Sequence, residues 1–210
     1  MKIRTGFVSN SSSSSFIIVF PKHVGGVNEM GKLLYRGEWD EPDALHDGDH
    51  DISRKLIATT VYDDYCKAKK TPREVQDQDI LSDLSEKHYI HAWSHEQLLD
   101  ELIHNYPDSQ MLDFATKKFE IRDKLNNMGE KGRKTKAGKK LMEAESVIYG
   151  QESARMNVLA QEEYNKLLKI HKEYIILRLE YSDNEGALGF QGIEHGDVFK
   201  NLVNQRISHH

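Results

Sequence analysis

The chain has 210 residues, 38% of them hydrophobic and 30% charged, with a formal net charge of -5. That composition suffices for one modest core and excludes two, and it requires any nucleic-acid contact to use a local basic patch. No apolar run approaches the ~20 residues of a bilayer span, and the single Cys66 excludes an intramolecular disulfide framework and a thiolate zinc site.

The opening segment carries serines where a secretory signal has its apolar stretch, so a cytoplasmic chain is expected. The polar tract 6–15 runs directly into Phe16-Ile17-Ile18-Val19-Phe20, closed by Pro21. Five consecutive apolar residues, mostly β-branched or aromatic, predict a strand buried on both faces. Gly25-Gly26 marks a turn, and 27–35 reads as a short helix with Met30, Leu33 and Leu34 on one side. Glu38, Asp40, Glu41, Asp43, Asp47, Asp49 and Asp51, broken by Pro42 and Gly48, predict an exposed acidic loop. Its acids at 47, 49 and 51 imitate a calcium loop. Ile52 and Ala58 then stand where an EF-hand needs glycine and glutamate.

Ser53 is placed to cap a helix running to about Lys69, with Ile52, Leu56, Ile57, Thr60, Val61 and Tyr65 as its buried stripe. Cys66 on that helix reads as core packing. Thr71-Pro72-Arg73-Glu74 opens a further helix, and Ser94-His95-Glu96-Gln97 opens a short one ending before Pro107. His88, His91, His95 and His104 are read as structural. From 109 to 172 a 3-4 pattern of Met111, Phe114, Ile121, Leu125 and Met128, with Lys118 as its one miss, predicts a charged helix. After a Gly/Lys-rich interruption the pattern resumes with Leu141, Ala144, Val147, Ala154, Val158, Tyr164 and Leu168. Together the two predict an antiparallel, coiled-coil-like helical hairpin, with Gly150 breaking or bending its second arm. Tyr174-Ile175-Ile176-Leu177-Arg178-Leu179-Glu180-Tyr181 and Gln205-Arg206-Ile207-Ser208 read as strands, with a turn at 182–186 and a helical turn or two over 197–202.

The fold expected is therefore α+β: a small mixed or antiparallel sheet joining the N- and C-terminal strands, covered by helices, with a projecting helical hairpin. The core comprises 1–108 and 173–210, and 109–172 is the insertion. A strand buried on both faces needs sheet neighbours, so 16–20 is expected to pair with 174–177. An antiparallel order would bring Ser15 toward the turn after Tyr181.

Three segments carry chemistry. The tract Val8-Ser9-Asn10-Ser11-Ser12-Ser13-Ser14-Ser15 is either a polar linker or structural loop, or a loop offering N–H groups and hydroxyls to an anion. Ser9, Asn10, Ser11, Ser12 and Ser13 are the candidates for the second role. It lacks the glycine spacing and the terminal Lys-Ser/Thr of a P-loop. Gly6-Phe7-Val8 through Phe16 resembles the opening signature of uncharacterised proteins from tailed bacteriophages and bacteria, and Glu194-His195-Gly196-Asp197 through Arg206-Ile207-Ser208-His209-His210 is similar to the ending of some of them. That resemblance covers only the two ends; it implies a phage or bacterial origin and brings no activity with it.

The C-terminal segment gathers Asp183, Glu185, Glu194, His195, Asp197, His209 and His210. Asp183, Glu185 and His195 are candidate catalytic groups, and His195, His209 and Asp183 candidate ligands for a divalent metal in a hydrolase or phosphoryl-transfer site. Turn formation at 183–186 and helix capping at 194–197 account for the same residues without a metal. Finally, 129–140 holds Lys131, Arg133, Lys134, Lys136, Lys139 and Lys140 against the single acid Glu130. Such a basic tip suits a phosphate backbone or an acidic protein, with salt-sensitive binding, and equally a merely solvated loop. The leading expectation is a non-enzymatic binding or accessory protein that engages a protein or nucleic-acid partner through this tip, with no cofactor and no membrane. Self-association is a further reading of its apolar stripe, and the metal-dependent enzyme is the alternative.

Overall fold

A computed structural model describes residues 13–40, 45–47, 50–89, 108–170, 173–182, 193 and 197–209. In chain order these form β1 (Ser13–Pro21), α1 (Val27–Tyr35), a 3-10 turn (Arg36–Asp40), β2 (Leu45–Asp47), β3 (His50–Ile52), α2 (Arg54–Lys70) and α3 (Arg73–Lys87). The helices α4 (Ser109–Arg133) and α5 (Lys136–Ile170) follow, and β4 (Tyr174–Ser182) and β5 (Asn204–His209) end the chain. The fold is α+β. The predicted helix at 94–105 falls outside the described residues.

The sheet has the order β4-β1-β5, so the N-terminal strand lies between the two C-terminal ones. Both pairings are antiparallel. Phe16 faces Leu179 on one side and Arg206 on the other, and Ser13 faces Ser182 and His209. The predicted partnership of 16–20 with 174–177 is present, since Val19 pairs with Ile176 and Phe20 with Ile175. A further bond, Val19 N–H to Val203 C=O at 2.9 Å, extends the β5 side.

β1 is buried on both faces, with Phe16, Ile17, Ile18, Val19 and Phe20 each at most 3% exposed. Phe16, Ile18 and Phe20 join Met30 and Leu34 of α1, Ile57, Val61 and Tyr65 of α2, and Phe199 in one apolar cluster. Aromatic rings knit it, Phe16 lying 5.0 Å from Phe199 and Phe20 5.3 Å from Tyr65. Tyr181 sits fully inside; burial, reinforced by Asp64, pushes its phenol well above 10. On the opposite face α3 lies over the sheet. Arg73 donates to the Ile176 carbonyl at 2.8 Å, and Gln76 accepts from the Arg178 N–H at 3.1 Å. Ser53 caps α2 as expected, accepting from the Leu56 N–H, but Leu56 itself is 44% exposed because the helix turns Ala58 and Ala68 inward with Ile57. The expected acidic loop is partly ordered as β2 and β3, paired Asp47 to His50.

The chain divides into two compact units, 1–83 with 166–210 and 84–165, the division falling within α3 and α5. In the second unit α4 and α5 run antiparallel. Asp108 meets Arg155, and further along Arg122 meets Glu145. A small apolar cluster forms around Met111 and Ala115. The miss in the α4 stripe, Lys118, points inward with Met111, Ala115, Ile121 and Leu125. Its ammonium donates to both carboxylate oxygens of the buried Glu152 at 2.6 Å. The Tyr89 and Tyr149 rings lie 4.7 and 4.9 Å from the same ammonium.

Of the predicted α5 stripe Tyr164 is buried, and this pair explains why Val147 and Val158 are not. Val147 and Val158 stand five and six residues from Glu152, about 120–140° round the helix. With Glu152 turned inward they are 60% and 46% exposed, and Ala144 and Ala154 are exposed too. Gly150 does not break α5, which continues through it. Replacing Glu152 by Gln leaves a buried ammonium without its counter-charge, a loss of about 3–5 kcal/mol. The double change Lys118→Met/Glu152→Leu should recover that loss. Urea unfolding followed by circular dichroism measures both, and an equal loss in the two variants would show that the pair does not set the packing.

Candidate functional site

The basic residues lie where α4 turns into α5. α4 bends at Gly129, whose φ of 63° is in the left-handed region that an L side chain rarely adopts. Only Lys134 and Thr135 separate the two helices. Thr135 holds the turn from both directions: its hydroxyl donates to the Gly132 carbonyl at 2.6 Å and accepts from the Gly138 N–H at 3.2 Å, capping α5. Gly138 is required by close approach, because a Cβ there would stand 2.5 Å from the Arg133 Cα and the Gly132 oxygen.

Five of the six basic residues are thus on helix ends and Lys134 is in the turn between them, so the loop expected from the Gly/Lys-rich interruption is only two residues long. Lys131 and Arg133 close α4, while Lys136, Lys139 and Lys140 open α5. All six basic side chains are exposed. Two are engaged locally. Arg133 donates through Nε to the Leu125 carbonyl at 3.1 Å and through Nη2 to Asn126 Oδ1 at 2.6 Å, and Lys134 pairs with Glu130 at 3.1 Å. The ammonium groups of Lys131, Lys136, Lys139 and Lys140 make no hydrogen bond or ion pair with any described residue.

The second polar centre is the serine end of β1. Ser9, Asn10, Ser11 and Ser12 lie outside the described residues, as do Asp183, Glu185 and His195. Ser13 opens β1, and its backbone pairs with that of Ser182, next to Asp183, and of His209. Ser14 and Ser15 are wholly buried. Arg206 donates to Ser14 Oγ through Nε and Nη2 at 3.2 and 3.1 Å and lies 5.7 Å from the Phe16 ring centre. Arg178, on the other face, reaches Ser15 Oγ at 3.5 Å. Asp83 accepts from Arg178 at 2.6 Å and Glu180 at 2.9 Å. Burial alone would make the Arg178 guanidinium easier to deprotonate; the hydrogen bonds and charges of the two acids outweigh it and hold the group charged. Arg206 is exposed and has no carboxylate partner among the described residues. Both arginines were legible as isolated charges inside strand sequences, a signal that the sequence reading did not use.

Among the described residues no three His, Cys, Asp or Glu side chains gather closely enough to hold a metal ion, and no helix is long and apolar enough to cross a membrane. Cys66 is half-buried against the core cluster. Comparison with family models, curated proteins and solved structures yields no match.

At the other end of the hairpin, Asp108 caps α4. Its carboxylate accepts from Arg155 Nη2 at 2.5 Å and from the Met111 and Gln110 N–H groups at 3.0 and 3.1 Å. The Arg155 hydrogen bond, aided by those N–H groups, holds its pKa below the usual 3.8. A carboxyl whose pKa is depressed on folding adds stability above its unfolded value and loses it as pH falls through the folded one. Asp108→Ala should therefore cost about 1 kcal/mol near neutral pH, and the gap from wild type should close once the pH drops below the carboxylate range. Thermal melts of both proteins from neutral to acid pH would show it, and a gap unchanged by pH would rule out the charged cap.

Proposed function

We propose that this chain is a non-enzymatic binding protein of a bacterial or phage-infected cytoplasm that engages an acidic macromolecular partner through the α4–α5 turn. One observation carries the reading: the exposed ammonium groups of Lys131, Lys136, Lys139 and Lys140 have no ion pair among the described residues and sit on the two helix ends of one turn in an acidic chain. Lysines on helix ends lose little backbone freedom on binding, unlike the same lysines on a floppy loop. The opposite net charge of the whole chain favours encounters in which the tip leads. Heparin affinity chromatography tests this. The wild-type protein should be retained and the variant K131Q/K136Q/K139Q/K140Q should elute at clearly lower salt, with an unchanged circular dichroism spectrum. Identical elution of the two proteins would refute the role of the tip.

The alternative, a metal-dependent hydrolase or phosphoryl-transfer enzyme, draws on the register that sets Ser13 beside Ser182 and His209. Near-stoichiometric divalent metal in the purified protein, lost on changing Asp183 and His195 to Ala, would favour it over the binding reading.

A further inference from the structure

Resting on the reading of the tip as a binding surface, we infer that its partner is a nucleic-acid phosphodiester backbone, held without reading of base sequence. The four groups left available are all lysine ammoniums, point charges that suit single phosphates. Arg133, the one planar fork in the segment, is bonded to Leu125 and Asn126 of its own helix. A fork is what grips a carboxylate or a guanine edge in two places, so both of those modes lose their best donor. Residues 129–140 contain no aromatic side chain, which removes base stacking.

An acidic protein face fits the tip less well. Protein interfaces are organised around buried apolar or aromatic anchors, and the only apolar side chain in 129–140 is Ala137. The lysine spacing points the same way. Lys136, Lys139 and Lys140 lie within one turn, three and four residues apart, on a helix start that has no acid. Cations there oppose the helix dipole and repel one another. A duplex, with a negative charge about every 1.7 Å of axis, relieves both at once, and the hairpin should become more stable on binding.

The test uses the full chain, two labelled duplexes of equal length and unrelated sequence, and poly-L-glutamate as competitor, read by fluorescence anisotropy across a salt series. The two duplexes should bind with affinities within about twofold of each other. The logarithm of the binding constant should fall with that of salt at a slope of about -3 to -4 for four neutralised phosphates. K131Q/K136Q/K139Q/K140Q should lose about tenfold or more in affinity and flatten the slope, while its circular dichroism melt stays at or above the wild-type midpoint. Each single glutamine variant should take about one unit from the slope, which keeps the test valid if the fourfold variant misfolds. Poly-L-glutamate displacing the duplex at equal charge, or a strong preference for one sequence, would overturn the phosphodiester assignment and leave the tip as a binding surface. No binding of either duplex or of poly-L-glutamate at low salt would overturn both.

Discussion

Phe16–Phe20 has no free face, and β1 is paired along both of its edges, and the organisation of its unit follows from that. A strand so enclosed must find backbone partners on both edges, and β4 and β5 supply them from the far end of the chain. Its two faces then need separate cover. α1 and α2 close over Phe16, Ile18 and Phe20, while α3 lies on the side of Ile176 and Arg178. Bringing positions nearly two hundred residues apart into register is costly in chain entropy, although that cost grows only slowly with loop length. The intervening chain is free to carry something else, and here it carries the helical hairpin.

The hairpin is held by a different kind of force. Beside the apolar cluster around Met111 and Ala115, polar pairs cross between its helices and contribute to its specificity. Asp108 with Arg155, Lys118 with Glu152 and Arg122 with Glu145 fall in antiparallel order along the two helices. A shift of one helix by a turn would separate each acid from its base, and the buried Lys118–Glu152 pair would suffer most. Register in turn sets where Gly132, Thr135 and Gly138 meet, and so fixes the directions in which the tip lysines point. Stability of the pair and geometry of the candidate surface are thus one problem.

Much of this was legible in the residues. The strand at 16–20 announced itself by having no polar face, and its partner was the other segment with the same property. Ser53 lies at a helix start for the capping reason that chemistry gives. What escaped was information held across space. Lys118 looked like a flaw in a stripe because its reason, Glu152, lies 34 residues away on another helix. Once that pair fixes the inner face of α5, Val147 and Val158 cannot be inside, though their spacing alone placed them there. The pairing of Leu45–Asp47 with His50–Ile52 was hidden by acid content, which says nothing of how a segment's backbone pairs. The chemistry expected of Ser9–Ser12, Asp183, Glu185 and His195 belongs to residues outside those described.

The serine end of β1 shows how much a low-complexity reading can conceal. Serine is a poor strand former, and a hydroxyl buried without a partner costs free energy. Ser14 and Ser15 are nonetheless as buried as the isoleucines that follow them. Successive strand residues face opposite ways, so two adjacent serines need two donors on two faces. Arg206 provides one from β5 and Arg178 the other from β4. The two faces differ in charge. Arg178 shares two carboxylates, so the Ser15 side carries excess negative charge, whereas Arg206 is positive and exposed on the Ser14 side. An alanine at either serine would fit the volume but remove one acceptor from the neighbouring guanidinium; at Ser15 the carboxylates of Asp83 and Glu180 remain to Arg178. The loss would fall harder on Ser14, because Arg206 has no second acceptor among the described residues. The arginines thus add a side-chain contact to each serine, one on either face of the sheet that the tract enters.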